Sequence, residues 1–250
     1  MAAPFIQFKN IKKQFGAQAV LKGVNLSITK GQVTVVIGKS GTGKSVLLKH
    51  IVGLIHQDSG QLLIQGEPLD QISGEKARRF KNKTSYMFQD NALFDFLTVY
   101  ENIALPLVET SKIADAALQQ KVHARMKQLG IEGIDTKYPS ELSGGMRKRV
   151  AMARALVTDP EVILFDEPTT GLDPVRKKNV HTMIKAYQKQ FGFTAVIVSH
   201  DIPHIFDLAQ HIALLDDGII LFEGSRQKIL CSEIPEVQAF IQGNNRLEQE

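Results

Sequence analysis

Tryptophan is absent from this 250-residue chain, and cysteine occurs once, at Cys231. A lone cysteine excludes an internal disulfide and fits a reducing compartment. Long apolar runs are also missing: no stretch approaches the ~20 residues that a membrane helix needs. The opening, MAAPFIQFKNIKKQF, has no apolar core of the length a signal peptide carries. These absences lead to the expectation of a soluble, cytoplasmic chain that reaches a membrane only through a partner. Charge of one sign is not in excess either. The 30 basic residues face 26 acidic ones, for a net charge of +4, and they are dispersed. That balance permits a nucleic-acid or membrane-surface role without pointing to one.

What is present is ordinary for a globular protein: 43% hydrophobic and 22% charged residues. At 250 residues the chain is near the upper limit for one compact core, so one domain with an inserted lobe fits as well as two domains. FIQFKNI alternates, VLKGVNLSI follows, and GQVTVVIG is a short β-branched run suited to a buried strand. VLLKHIVGL then carries helical periodicity, and SGQLLIQGEPL returns to strand and turn. Between roughly residues 90 and 156 the character changes. TVYENIALPL, DAALQQKVHARMKQLGI and GGMRKRVAMARAL are helical patterns separated by Gly, Pro and Ser. Strand character resumes in EVILFDEP, FTAVIVSH and HIALLDDGIILFEG, alternating with helical segments. That alternation predicts an α/β core with a mostly parallel sheet, into which the helical block is inserted as a lobe. No internal repeat is present, and the polar ending GNNRLEQE reads as a loose tail.

The chemistry begins at GKSGTGKS, which matches G-x-x-x-x-G-K-[ST] between a buried strand and a helix. The cradle runs from Gly38 through Lys39, Ser40, Gly41, Thr42, Gly43, Lys44 and Ser45 to Val46. Its glycines let backbone N–H groups turn inward around phosphate oxygens, and the following helix points its positive end at the same anion. Lys44 is expected to neutralise the β- and γ-phosphates, with the Ser45 hydroxyl a Mg²⁺ ligand. VILFDEP supplies a second half. Asp166 ends a strand beside the loop and is expected to hold Mg²⁺ through water; Glu167, next to it, is placed to polarise an attacking water. Two adjacent carboxylates at a strand end also serve as surface charges or a helix cap. In AVIVSHD, His200 is the one histidine of seven that ends a core strand, where it would face the γ-phosphate. Gln89, ending SYMFQD, stands at the joint between core and lobe, within reach of Mg²⁺ or water.

A second stretch, ELSGGMRKRVAMARAL, again has Ser and two Gly opening a helix, although the chain already has a complete phosphate loop. The order loop, glutamine, LSGGM, VILFDEP, GLD, SHD resembles the nucleotide-binding subunit of ATP-binding cassette (ABC) transporters, from about Phe5 to Gly224. The resemblance implies a P-loop NTPase core with a mostly parallel sheet, an antiparallel β subdomain and an inserted α-helical subdomain. It implies an ATPase domain over residues 1–235, with the lobe at about 90–156, and a C-terminal extension over 236–250. ATP and Mg²⁺ are the implied cofactors. Two copies are expected to pair head to tail, so that Ser143, Gly144 and Gly145 grip the γ-phosphate held by the other copy's loop. Phe15 matches the aromatic that stacks on adenine, with simple core packing as its other reading. Asp173, in GLDP, matches the aspartate that crosses the dimer interface. Met146 stands where many members have glutamine, which puts a ribose contact in doubt, and TGLD replaces the commoner SALD.

In this family, the region after Gln89 borders the groove for a permease coupling helix. Leu93, Phe94, Phe96 and Leu97 form an apolar cluster there, read either as part of that groove or as ordinary core. FQDNALFDFLTVYENIALPL, GKSGTGKSVLLKHIVGL and LSGGMRKRVAMARAL look like the ATPase subunits of Mla-type phospholipid transporters. The ending EVQAFIQG resembles that branch too, where the extension reaches the opposite subunit. The resemblance implies a transmembrane permease, an MCE-domain substrate-binding protein and a small regulatory subunit as partners, and no nucleic acid. It implies a peripheral place on the cytoplasmic face of the inner membrane. Other readings stay open: an importer of small polar solutes, a cassette acting on ribosomes or DNA, or a non-catalytic ATP-gated module.

Overall fold

The computed structural model describes residues 4–88, 92–202 and 204–247. Its centre is a six-stranded sheet in the order β10-β9-β3-β8-β7-β6. β3 (Val33–Ile37), β8 (Thr194–Ser199) and β7 (Val162–Asp166) lie side by side and parallel, with β6 (Thr84–Met87) and β9 (His211–Asp216) parallel outside them. β10 (Ile219–Gly224) closes one edge as an antiparallel hairpin with β9. β3 and β8 are buried at every position, which is why they read as unbroken β-branched runs rather than as alternating ones.

Alternation is present, but it sorts residues between two cores. Val35, Ile37, Ile163, Phe165, Ala195, Ile197, Ile212 and Leu214 pack into one cluster with the helices of the lobe side. Val36, Val162, Leu164, Val196, Val198, Ala213 and Leu215 pack into another. Successive side chains of a strand point to opposite faces, so each strand lines both cores at once.

The second core is roofed by α1 (Lys44–Ile51) and by a four-stranded antiparallel sheet, β2-β1-β4-β5. Its strands are β1 (Ile6–Phe15), β2 (Gln18–Ile28), β4 (Ser59–Ile64) and β5 (Glu67–Pro68). β1 bulges between Lys9 and Lys12 where β4 meets it. A Cβ on Gly60 would stand 2.3 Å from the Asn10 carbonyl oxygen, so only glycine lets the two backbones approach there. α2 (Gly74–Asn82) then leads into β6.

Among the described residues, three α-helices lie between β6 and β7: α3 (Val99–Thr110), α4 (Asp115–Gln128) and α5 (Gly144–Leu156). α3 starts with a capping box, Thr98 Oγ1 accepting from the Glu101 amide and Glu101 accepting from the Thr98 amide. Asn102, fully buried, closes the loop before it. Its side-chain amide donates to the carbonyls of Phe94, Leu97 and Thr98, each at 3.0 Å, and its oxygen accepts from the Phe94 amide at 2.9 Å. The apolar cluster expected in this loop therefore divides. Leu93 packs against the core, whereas Phe94 and Phe96 are exposed, their ring centroids 5.6 Å apart.

After β7 comes α6 (Pro174–Phe191), capped by Asp173 at one end and by Gly192 in the left-handed region at the other. α7 (Arg226–Leu230) and α8 (Pro235–Leu247) end the described chain, with Val237 and Phe240 of α8 buried in the lobe-side core.

Candidate functional site

The carboxyl ends of β3, β8 and β7 are in register: Ile37 pairs with Ser199, and Val198 pairs with Asp166. The three segments that leave those ends are the 38–45 loop, the Glu167 turn and the His200 turn. Adjacent parallel strands thus bring together residues more than 150 positions apart in the chain. This is the crevice outside the strand ends where open α/β sheets bind ligands.

Two glycines explain the loop's course. A Cβ on Gly38 would stand 2.3 Å from the Leu215 carbonyl oxygen. Gly43 has φ 99°, and a Cβ there would meet the Val20 Cγ1 atom at 2.8 Å. Lys39, Ser40 and Gly41 are exposed, Thr42, Ser45 and Val46 are half-buried, and Gly43 and Lys44 are buried. The Lys44 ammonium folds back on the loop, donating to the Gly38 and Lys39 carbonyls, both at 2.9 Å, and lies 3.4 Å from Glu167 Oε1. A lysine held by two carbonyls and a carboxylate at the foot of an N–H-lined turn suits an incoming phosphate group.

Asp166 is held on both oxygens. Ser45 Oγ donates to Oδ1 and the Tyr86 hydroxyl donates to Oδ2, each at 2.7 Å. Burial first, and then the hydrogen bond to Asp166 and its charge, push the Tyr86 phenol far above its ordinary range, so it stays a proton donor. Tyr86 escaped the sequence analysis because its role depends on β6 pairing with β7, and a tyrosine on an edge strand carries no motif.

Glu167 continues the β7 ladder with its amide donating to the Val198 carbonyl at 3.0 Å, yet its φ is 50°. A non-glycine residue in this region costs on the order of 1 kcal/mol, and such strain gathers at functional sites. The turn aims the carboxylate between two cations or donors. Glu167 Oε2 accepts from the His200 amide at 3.3 Å and lies 2.8 Å from His200 Nδ1, while Oε1 faces Lys44. The Glu167 side chain is largely buried and the His200 ring is 44% exposed, so the pair stands at the mouth of the crevice.

Other expected residues stand outside this cluster. Phe15, at the end of β1, is 46% exposed with the Lys13 ammonium 5.4 Å from its ring centroid, which sets aside the core-packing reading. Ser143 caps α5, its Oγ accepting from the Met146 amide at 3.3 Å. Gly144 and Gly145 are exposed and have nothing within 4 Å of a built Cβ. The helix they begin meets β6 at its far end, where Ser85 Oγ donates to the Ala155 carbonyl. At 1.5 Å per residue, that end is about 18 Å away along the helix axis. Met146 packs inward on the core. Asp173 is exposed, accepting from the Arg176 amide at 2.9 Å. Gln89 lies outside the described residues.

The sequence profile of the family described as ABC transporter matches residues 21–170. The chain is 33% identical over 241 residues to the Escherichia coli protein named intermembrane phospholipid transport system ATP-binding protein MlaF, covering 96% of this chain and 90% of that one. The Haemophilus influenzae protein of the same name is 32% identical, with 96% and 91% covered. A probable ribonucleotide transport ATP-binding protein, mkl of Mycobacterium leprae, is 37% identical, with 95% of this chain but 69% of that protein covered. Among solved structures, cbiO1 of Clostridium perfringens, part of the ABC transporter complex cbiONQ, superposes with a TM-score of 0.83 at 27% identity over the whole of both chains. The ATP-binding cassette MJ0796, as a dimer in a post-hydrolysis state with ADP and Pi, gives a TM-score of 0.74 at 30% identity, with 88% of this chain and 98% of that one covered. With a phosphate loop, paired carboxylates and a histidine converging at the strand ends, the chain belongs to the ABC transporter family of ATP-binding subunits and is an ATP hydrolase.

Proposed function

We propose that this ATPase drives phospholipid transport between membranes of the cell envelope, as the motor of a multi-subunit transporter. The observation that carries this reading is near-full-length similarity to two MlaF proteins named for intermembrane phospholipid transport. The chain then sits on the cytoplasmic face of the inner membrane through a transmembrane permease, with an MCE-domain protein and a small regulatory subunit as further partners. No helix among the described residues is long and apolar enough to cross a membrane, so the permease supplies the path.

Hydrolysis is assigned to the converged cluster. Lys44 exchanges its loop carbonyls for β- and γ-phosphate oxygens. Ser45 and Asp166 are hard oxygen donors already held together, a pair that fits Mg²⁺, with Gln89 as a further ligand. The ion, when bound, supplies charge neutralisation to the phosphates. Glu167 polarises the attacking water, and His200, bonded to its carboxylate, keeps it oriented. Phe15 offers an exposed ring for the adenine face.

The site needs a second copy. Ser143, Gly144 and Gly145 form an open, capped helix start with no cradle of their own, which suits them to the phosphate held by another chain. The dimeric cassette among the structural relatives supports this arrangement. Asp173 would lie at that interface. In this reading residues 1–235 form the ATPase, with the helical lobe at about 90–156 against the permease and the 236–250 extension against the opposite subunit. Phe94 and Phe96, held outward by Asn102, suit the permease side of the lobe.

The test is to purify the chain, tagged at its N-terminus, from gently solubilised membranes and identify its companions. A permease with an MCE-domain protein and bound phospholipid is the expected result. The name of the mycobacterial relative favours a second reading, transport of a ribonucleotide. A permease with a solute-binding protein and no lipid would leave the ATPase intact and replace the cargo.

A further inference from the structure

Asp201 follows His200 and carries no part of the chemistry proposed above, yet its carboxylate is fully engaged. Oδ2 accepts from Thr169 Oγ1 at 2.9 Å, and Oδ1 accepts from the Lys177 ammonium at 2.5 Å. Its amide donates to Ser199 Oγ at 3.0 Å, which pins it to the end of β8. The Asp201 and Lys177 side chains are only 14% and 24% exposed, and Thr169 is buried.

The partners lie on three separate segments. Thr169 is in the turn that carries Glu167, where the Thr170 amide donates to the Glu167 carbonyl and the Leu172 amide to the Thr169 carbonyl. Lys177 lies at the start of α6, its amide donating to the Asp173 carbonyl. Asp201 itself belongs to the His200 turn. One carboxylate therefore ties together the turn after Glu167, the turn after His200 and the helix behind Asp173. Glu167 holds a left-handed backbone conformation that the surroundings must enforce. Glu167 itself is held at its amide, carbonyl and carboxylate, and Lys148 Nζ donates to the Pro168 carbonyl at 3.1 Å; the Asp201–Thr169 bond is what ties the turn that follows to the His200 turn.

We propose that Asp201 is a positioning residue for hydrolysis, holding the Glu167 turn and the His200 turn in one geometry and linking both to the helix that begins at Asp173. The proposal rests on the reading of Glu167 and His200 as the hydrolytic pair. Without the carboxylate, the Thr169 hydroxyl and the Lys177 ammonium lose a common acceptor, and the Glu167 turn loses its tie to the His200 turn and to α6, keeping the Lys148 bond to the Pro168 carbonyl. A displacement of about 1 Å at a reacting group costs roughly 100-fold in rate.

The experiment is steady-state ATP hydrolysis by the intact chain, purified with its copurifying partners, alongside nucleotide affinity by calorimetry. Asp201→Ala is expected to lower kcat roughly 10-fold to 100-fold with ATP affinity within about twofold. Thr169→Val, close in shape, is expected to lower kcat in the same way, and Thr169→Ser to recover turnover because it restores the hydroxyl. The Thr169→Val, Asp201→Ala double variant is expected to be no slower than Asp201→Ala alone. Unchanged kcat in Asp201→Ala, or losses that multiply in the double variant, would overturn the proposal. Should Asp201→Ala not fold, the valine and serine variants at Thr169 decide alone: equal turnover in those two overturns it. Glu167→Gln serves as the separate control. Normal hydrolysis there removes the underlying pair, whereas slow hydrolysis there with a normal Asp201→Ala removes only the positioning role.

Discussion

The Tyr86 hydroxyl donates to Asp166 Oδ2 at 2.7 Å, while Ser45 Oγ occupies the other carboxylate oxygen at the same distance. The carboxylate assigned to the metal is thus oriented from behind by an uncharged phenol that burial keeps protonated. Tyr86→Phe keeps the ring and its packing against Phe88, 4.4 Å between centroids, and removes only the donor. The Mg²⁺ concentration for half-maximal hydrolysis is expected to rise roughly 10-fold, as for other partners that orient a metal's carboxylate. A magnesium titration of the ATPase rate measures it; an unchanged midpoint would separate Tyr86 from the metal.

Glu167 and Lys44 face each other at 3.4 Å but predict different losses. Glu167→Gln keeps the hydrogen-bonding shape and is expected to bind ATP while hydrolysing it roughly 10²–10⁴ times more slowly, as when a general base is lost. Lys44→Ala is expected to abolish tight nucleotide binding. Calorimetry and turnover on the two variants separate the roles, and equal affinity in Lys44→Ala and the parent chain would count against the loop.

Asn102→Ala tests the loop that presents Phe94 and Phe96. The substitution removes the side-chain acceptor of the Phe94 amide and one donor from each of three carbonyls, of which Phe94 and Thr98 keep backbone donors in the Leu97 and Asn102 amides. An expected cost of about 1–3 kcal/mol follows from losing these part-buried hydrogen bonds, read as a fall in the urea midpoint. Loss of permease copurification before loss of the fold would connect the loop to docking.

His181, on α6, is 6% exposed, and neither ring nitrogen has a hydrogen-bond partner among the described residues. Burial pulls its pKa down from 6.5 to about 4, with His204 and Lys177 acting in the same direction and Asp201 and Asp207 opposing. The unfolded chain therefore binds a proton between those values that the folded chain refuses. Stability is unaffected above pH 6.5 and falls as the pH drops towards 4, by on the order of 3 kcal/mol from this group. His181→Leu is expected to flatten that part of the pH profile of Tm, with the carboxylate contributions common to both chains. Parallel profiles would show that the ring is solvated.

The fold was legible because its central strands are apolar without interruption. VTVVI, VILFD and TAVIVS left little alternative to a parallel sheet covered on both faces, and each ended in, or directly before, a residue of the site. The composite site proposed for Ser143, Gly144 and Gly145 came only from the family resemblance, since Ser143 caps its own helix and the two glycines are exposed. Tyr86, Thr169 and Asp201 were not legible at all. Each acts across strand register or between turns, and periodicity along one segment carries no information about a neighbour more than 30 residues away. The cluster around Phe94 shows the limit in another form. Composition marked four apolar residues, but only the bonding of Asn102, eight positions on from Phe94, decides which of them face outward.

The sorting of strand residues between two cores gives this sheet something like a reading frame. Val36 serves one compartment and Val35 and Ile37 the other, and the same parity runs through β7, β8 and β9. One residue inserted into β8 would exchange its two faces and also carry His200 off its register with Glu167. Length in these strands is therefore under stricter constraint than identity: Val, Ile and Leu are interchangeable there at modest cost, whereas a single-codon insertion corrupts both compartments and the catalytic edge together.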